Sequence, residues 1–247
     1  MSGMLPTIEA PTYEIKLPTN GKKVKYRPFL VREEKILMMA ETSDDDNEIM
    51  VAVKQILENC TFGKIDVDNM ALLDLEYMFL QIRIRSKGET SKLAFKCKNV
   101  VPNTVDGEDG IVCDHVNKVT IDLTTIQPEN KKVEQTIAIT ENIGVKMKPI
   151  SIETSESIIA VNTSEDSFNI LASLIESIYS GDEVWLADKV VAEEIIKFLD
   201  QFTESQIKKL LDYVREYPTL KTNIDVKCPK CGNEKNIELK GLRNFFA

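Results

Sequence analysis

The chain has 247 residues, enough for one large domain or two small ones with real cores. Hydrophobic residues make up 43% and charged residues 29%, ordinary globular usage that excludes wholesale disorder. The net charge of −9 argues against a general electrostatic grip on nucleic acid or an anionic membrane. No apolar run is long enough to cross a bilayer, and residues 1–12 lack the basic and apolar regions of a signal peptide.

Tyr13, Ile15 and Leu17 alternate, Asn20-Gly21 follows, and Val24 and Tyr26 alternate again, which predicts a hairpin turning at Asn-Gly. Pro28 breaks the strand and leads into a helix over 31–41. The polar stretch 42–48 reads as a loop. Its acidic run Asp44-Asp45-Asp46 lacks the glycine and glutamate spacing of a calcium loop, and reads as solvated. Ile49, Val53, Ile56, Leu57 and Cys60 share one helical stripe, which places Cys60 in a core. Asp68 or Asn69 caps a third helix over 70–85. That helix is apolar almost all round, the pattern of a core centre. Arg83 and Arg85 near its end suit the helix dipole, and Gly88 ends it.

Leu93, Phe95 and Cys97 then alternate, and so do Val119, Ile121 and Leu123 after Cys113. Near the C-terminus the pattern returns. Ile224, Val226 and Cys228 alternate, the turn Cys228-Pro229-Lys230-Cys231-Gly232 follows, and Ile237 and Leu239 alternate beyond it. Each half reads as strand, cysteine, turn, cysteine, strand, and Gly232 supplies the positive φ such a turn often needs. Two hairpins packed face to face deliver four thiolates, the closed tetrahedral set of a structural zinc site: Cys97, Cys113, Cys228 and Cys231. His115 is the alternative ligand to Cys113. The first half carries an insertion over 99–112, an apparent loop at the knuckle. Ordinary buried thiols are the competing account. Five cysteines, an odd number, fit a reducing compartment with metal better than disulfides.

Between the halves the chain is β-rich, punctuated by Gly144 and Pro149, and then helical. Phe168, Leu171, Leu174, Ile175 and Ile178 form one stripe, and Val190, Ile195, Phe198 and Leu199 a second. Thr203-Glu204-Ser205-Gln206 is a capping box that opens a third helix, closed by Pro218. The expected layout is an N-terminal hairpin with helices (1–90), a first cysteine hairpin (91–125), a β-rich segment (126–163), a helical block (164–218) and a second cysteine hairpin (219–247) packing on the first. The fold class is α+β, with helical lobes and antiparallel hairpins forming a split zinc-ribbon-like module.

Chemistry is hard to place on these residues. There is no phosphate loop, dinucleotide fingerprint or nucleophile elbow. One histidine leaves little room for histidine-based triads or a hydrolytic metal site. Glu193 and Glu194 are neighbours on a helix and read as solvated surface, and four thiolates leave a metal no open position. The expectation is a non-enzyme without catalytic residues, small-molecule substrate or cofactor beyond structural zinc.

An ordered set of segments carries a resemblance. It runs from Tyr26-Arg27-Pro28-Phe29-Leu30-Val31-Arg32-Glu33-Glu34-Lys35 to the helix Leu73-Asp74-Leu75-Glu76-Tyr77-Met78-Phe79-Leu80-Gln81-Ile82-Arg83-Ile84-Arg85-Ser86. Phe95-Lys96-Cys97 and Cys113-Asp114-His115 follow, then Ile143-Gly144-Val145-Lys146-Met147-Lys148-Pro149, then Cys228-Pro229-Lys230-Cys231-Gly232. In this order the chain resembles the baseplate hub subunit and hub-assembly family of T-even-like contractile-tailed phages, with the insertion between Cys97 and Cys113 as a departure. The resemblance implies a late structural or assembly protein of the tail, found in the virion baseplate or in the host cytoplasm during assembly. Its implied partners are other hub and tail proteins, with no role for a membrane. The competing class is a zinc-ribbon nucleic-acid adaptor, for which Lys227, Lys230, Lys235, Lys240 and Arg243 give the second hairpin a local positive face.

Overall fold

The computed structural model describes residues 8–41, 46–102, 110–128, 134–159 and 164–241. In chain order the elements are β1 (Tyr13–Lys16), β2 (Lys23–Tyr26), α1 (Val31–Glu41), α2 (Asp46–Cys60), α3 (Leu72–Lys87), β3 (Thr90–Lys96), β4 (Val100–Val101), β5 (Ile111–Val112) and β6 (Val116–Asp122). They continue with β7 (Thr136–Ala138), β8 (Ile143–Met147), α4 (Ile152–Ile159), α5 (Ser164–Leu174), β9 (Ile175–Ser180), β10 (Glu183–Leu186), α6 (Ala192–Leu199), α7 (Glu204–Arg215), β11 (Lys221–Lys227) and β12 (Glu234–Lys240). The fold is α+β, and every pairing between these strands is antiparallel. No helix among the described residues is long and apolar enough to cross a membrane.

The chain forms two compact units. The first takes the described residues of Met1–Ile65, Glu76–Glu129 and Thr219–Ala247. Its β1–β2 hairpin pairs Tyr13 with Tyr26 and Lys16 with Lys23, so the turn is longer than the two residues read from Asn20-Gly21. Leu17 accepts from the Gly21 amide, Gly21 alone takes positive φ (70°), and the Asn20 side chain accepts from the Lys22 amide. Asn20 thus works by its side chain and not by a left-handed backbone.

Helix α1 starts and ends where its pattern predicts. Glu33, its third residue, accepts from the Leu30 amide as a capping-box glutamate does, and holds Arg27 through both carboxylate oxygens at 2.9 and 3.2 Å. Helix α2 begins at Asp46, earlier than the acidic loop reading allows, because Asp-Asn-Glu residues suit a first turn. Asp44 and Asp45 lie outside the described residues.

Helix α3 starts at Leu72, later than read. Asn69 turns back to Asp66, and at the helix start the Leu72 amide donates to the Ile150 carbonyl. Met78, Phe79, Leu80 and Ile82 are buried as the apolar pattern predicts, and Phe29 packs on Phe79 with ring centroids 5.5 Å apart. Arg83 is buried and donates to Ser91, which leaves Arg85 and Lys87 in the last turn. Gly88 closes the helix at φ +99°.

The second unit takes the described residues of Asp66–Leu75 and Asn130–Pro218. Its sheet runs β10-β9-β8-β7, and Val145, Met147, Leu171, Leu174, Ile175, Leu199 and Leu210 are buried in one core. Here the structure corrects the helical block. The stripe Phe168, Leu171, Leu174 belongs to α5, but Ile175 and Ile178 lie on β9, which pairs with β8 and turns through Gly181 into β10. Gly181, at φ +58°, supplies the conformation a two-residue hairpin turn needs. A short helix, α4, also occupies the stretch read as β-rich. The capping box of α7 is present, with Gln206 accepting from the Thr203 amide at 2.8 Å.

Candidate metal centre

Four cysteines converge in the first unit. The sulfurs of Cys97, Cys113, Cys228 and Cys231 all lie within 4.8 Å of one another. Cys97 and Cys231 are 3.6 Å apart, and Cys113 and Cys228 are 3.7 Å apart. A disulfide would bring sulfurs to about 2.05 Å. Four sulfurs at about 2.3 Å from a tetrahedral zinc are separated by about 3.8 Å. The Cys97–Cys231 and Cys113–Cys228 pairs have the second spacing. Three of the four residues are buried and Cys231 is half-buried.

Two hairpins bring them together. In the first, β3 and β6 pair from Thr90↔Asp122 to Lys96↔Val116, with Leu93 and Ile121 buried on the inner face. In the second, β11 and β12 pair from Lys221↔Lys240 to Lys227↔Glu234, with Val226 and Leu239 buried. The second hairpin is tied to α3 at its base: the Leu220 amide donates to the buried Glu76 carboxylate at 2.8 Å, and Leu220 accepts from Gly241.

The two knuckles share one hydrogen-bond plan. In the second, the Cys228 amide donates to the Asn233 carbonyl (2.8 Å), the Gly232 amide donates to the Cys228 carbonyl (2.9 Å), and Gly232 takes φ +73°. In the first, the Cys97 amide donates to the His115 carbonyl (2.8 Å), the Asp114 amide donates to the Cys97 carbonyl (3.0 Å), and Asp114 takes φ +53°. Asp114 therefore stands where Gly232 stands. The Cys113 amide donates to the Asn99 carbonyl (2.8 Å), which bridges the insertion. Beyond that bond, β4 and β5 pair Val100 with Val112 and Val101 with Ile111. The insertion is thus a small hairpin grafted into a Cys-x-x-Cys turn: removing residues 100–112 would leave Cys97, Lys98, Asn99, Cys113 and Asp114 in sequence. The equivalence of Asp114 and Gly232 was missed in the sequence because the insertion separates Asn99 from Cys113.

Outer contacts hold the cluster. The Asn99 side-chain amide lies 3.7 Å from the Cys231 sulfur, and Lys230 donates to the Cys113 carbonyl at 3.0 Å. His115 is not in the group. It is half-buried just before β6, where its carbonyl serves the Cys97 amide. Cys60 is elsewhere, fully buried at the end of α2, and burial pushes its thiol up to about 12.

The electrostatics of the thiols favour a cation. The Asn99 amide pulls Cys97 down, but burial and the three other thiols together push it up to about 12. The His115 amide and the Cys97 thiol pull Cys113 down, but burial and the thiols of Cys231 and Cys228 outweigh them and raise it. Burial opposes ionisation of Cys228, yet the amides of Cys231 and Lys230 and the thiols of Cys231 and Cys113 bring it to about 6. Four thiols this close together repel as thiolates and cannot all ionise unless a cation compensates. The four residues fit a thiophilic metal with no ligand position to spare.

A groove of about 530 Å³ opens beside the cluster, lined by Phe95, Asn117, Val226 and Ile237 and by the exposed Lys96, Lys98 and Lys235.

A family model described as T4 bacteriophage base plate protein matches residues 10–247. The chain belongs to this family. The family is one of baseplate structural proteins and not an enzyme class. A curated relative, the baseplate hub assembly protein gp26 of Enterobacteria phage T4, is 20% identical over 234 residues, which cover 95% of this chain and 97% of the relative. No solved structure matches.

Proposed function

We propose that this baseplate protein builds or assembles the hub of a phage tail through protein–protein contacts, with a structural zinc ion held by Cys97, Cys113, Cys228 and Cys231. The hub role rests on the gp26 relative, aligned over nearly the whole of both chains. The zinc reading rests on one observation: four sulfurs from two matched knuckles lie within 4.8 Å of one another, two pairs of them at the spacing of a tetrahedral site. On this reading β3–β6 and β11–β12 are halves of a split zinc ribbon. Bound there, zinc supplies the positive charge that keeps four neighbouring thiolates ionised. The residues do the rest: the knuckle amides orient the sulfurs, Asn99 faces Cys231, and β11–β12 is anchored on Glu76. The result is a rigid surface for neighbouring baseplate subunits, in the tail or during its construction.

Elemental analysis of protein purified under reducing, chelator-free conditions tests the metal: about one zinc per chain is expected. Cys228→Ser is expected to lose it and to cost at least about 4 kcal/mol, roughly 10 °C in Tm at this chain length. No metal in the parent, or unchanged metal and Tm in the variant, discards the clamp. Co-purification with tail hub proteins tests the assembly role.

A second reading, a nucleic-acid adaptor, draws on Lys96, Lys98 and Lys235 around the groove. The net charge of −9 opposes it. Salt-dependent DNA binding would favour it.

A further inference from the structure

We propose that the outer edge of β10 is a docking site for an extended segment of a partner protein, apolar at alternate positions and basic at both ends. β10 is an outer strand: β9 pairs with one side, and among the described residues no strand pairs with the other. Ser180 and Glu183 flank the two-residue turn and form its hydrogen-bonded pair, and the next such pair is Ile178 with Trp185. The backbone N–H and C=O of Val184 and the N–H of Leu186 therefore point away from β9 as a short open ladder, while the Leu186 carbonyl caps the 3-10 turn Ala187–Lys189.

The side chains at this edge are equally open. Val184 is 61% exposed, and Trp185 and Leu186 are each 42% exposed. Val191, 62% exposed, lies just beyond. Protein edges are usually kept from pairing by a charge, a proline or a bulge within the strand. β10 carries a charge only at its first residue, Glu183, and the Val-Trp-Leu that follows has none of these.

The charges lie at its two ends and share a sign. Asp182 and Glu183 sit at the turn, Asp188 follows the strand, and Glu193 and Glu194 come next along the chain at the start of α6, all exposed, with Lys189 the one cation between 182 and 194. This selects the occupant. A second copy pairing antiparallel through Val184 and Leu186 would bring the acidic turn of one copy, Asp182 and Glu183, toward Asp188 of the other, and like charges brought together oppose pairing. A partner strand with lysine or arginine at both ends meets acid at both ends and apolar side chains between. Four residues of β10 span about 13 Å, so the docked segment has about four to six residues. The inference draws on the assembly reading only in taking the occupant to be a protein strand, and does not involve the cysteines.

The chain holds one tryptophan, and it lies in β10, so its emission reports on this edge. The full-length protein is titrated with two synthetic peptides, Lys-Lys-Thr-Val-Thr-Val-Thr-Lys-Lys and the same core with glutamates at both ends. The basic peptide is expected to give a saturable blue shift that added salt weakens, with the acidic peptide at least tenfold weaker. Val184→Lys and Leu186→Pro are expected to abolish the response. Leu186 already has φ −79°, so proline fits there and removes an outward amide together with the leucine side chain. Both variants are checked for parental circular dichroism and thermal unfolding. No saturable response, equal responses to the two peptides, or binding that survives both substitutions overturns the proposal. A concentration-dependent dimer that Val184→Lys disperses also overturns it, and gives the edge to a second copy. The same titration on chelator-treated protein separates the two ideas: peptide binding without metal sustains the edge when the zinc clamp has failed. A chain that binds the peptide yet never co-purifies with tail proteins counts against the assembly role alone.

Discussion

Glu33 is fully buried and surrounded by donors: both Arg27 guanidinium nitrogens, Arg32 Nε at 2.7 Å and the Leu30 amide. Burial works to raise its pKa, but Arg27, Arg32 and the Leu30 amide outweigh it and hold the carboxyl at about 2, below its ordinary 4.5. A folded value below the unfolded one adds stability that is complete above pH 4.5 and is lost as pH falls from there through about 2. Glu33→Gln leaves the Arg27 charge buried and unpaired and is expected to cost about 3 kcal/mol at pH 7 by urea unfolding. The deficit should shrink below pH 4.5, where the parent also loses its carboxylate. This pair was not legible in the sequence. Arg27 and Glu33 lie in a charged segment that reads as surface, and only the packing of β2, α1 and Cys60 encloses them. Cys60 was legible, because its helical stripe is apolar at every turn.

At the scale of elements, whatever is local was readable. The bounds of α1, the alternation of both cysteine hairpins and the capping box of α7 follow from residues within one or two turns of each other. The hairpin of β9 and β10 was not, since Ile175 and Ile178 continue the helical spacing of α5, and only pairing with β8 decides between the two periods. That pairing places Gly144 between β7 and β9. A Cβ there would fall on the Tyr179 ring and lie 2.7 Å from the Ile137 carbonyl oxygen. Gly144→Ala is expected to cost about 2 kcal/mol by urea unfolding, and less when Tyr179 is also replaced by alanine. The grafted β4–β5 hairpin invites the opposite experiment. A chain lacking residues 100–112 regains a continuous Cys-Lys-Asn-Cys-Asp knuckle and is expected to keep its metal and its β3–β6 pairing. Asp114→Gly should relieve a positive φ and stabilise by about 0.5 to 1 kcal/mol, since its exposed contact with Lys96 at 3.4 Å contributes little.

At the scale of the whole molecule, the first unit is assembled from three stretches of chain, and the second is made largely of what runs between the last two. A chain ending at residue 218 keeps the stretches of the second unit but loses Cys228 and Cys231. It is expected to bind no metal, by elemental analysis, while its amides in β8 and β9 remain protected in hydrogen exchange. Chelation of the full chain should likewise reduce protection in β3, β6, β11 and β12 first.

Cys113 and Cys228 are 115 residues apart. At about 5 to 20 residues per second, a ribosome takes roughly 6 to 23 seconds to travel between them. Throughout that interval the nascent chain owns two thiols of a four-thiol site and cannot close it. Completion of the first unit is therefore timed by the arrival of the final hairpin, and unfinished chains hold only half of the sulfur set.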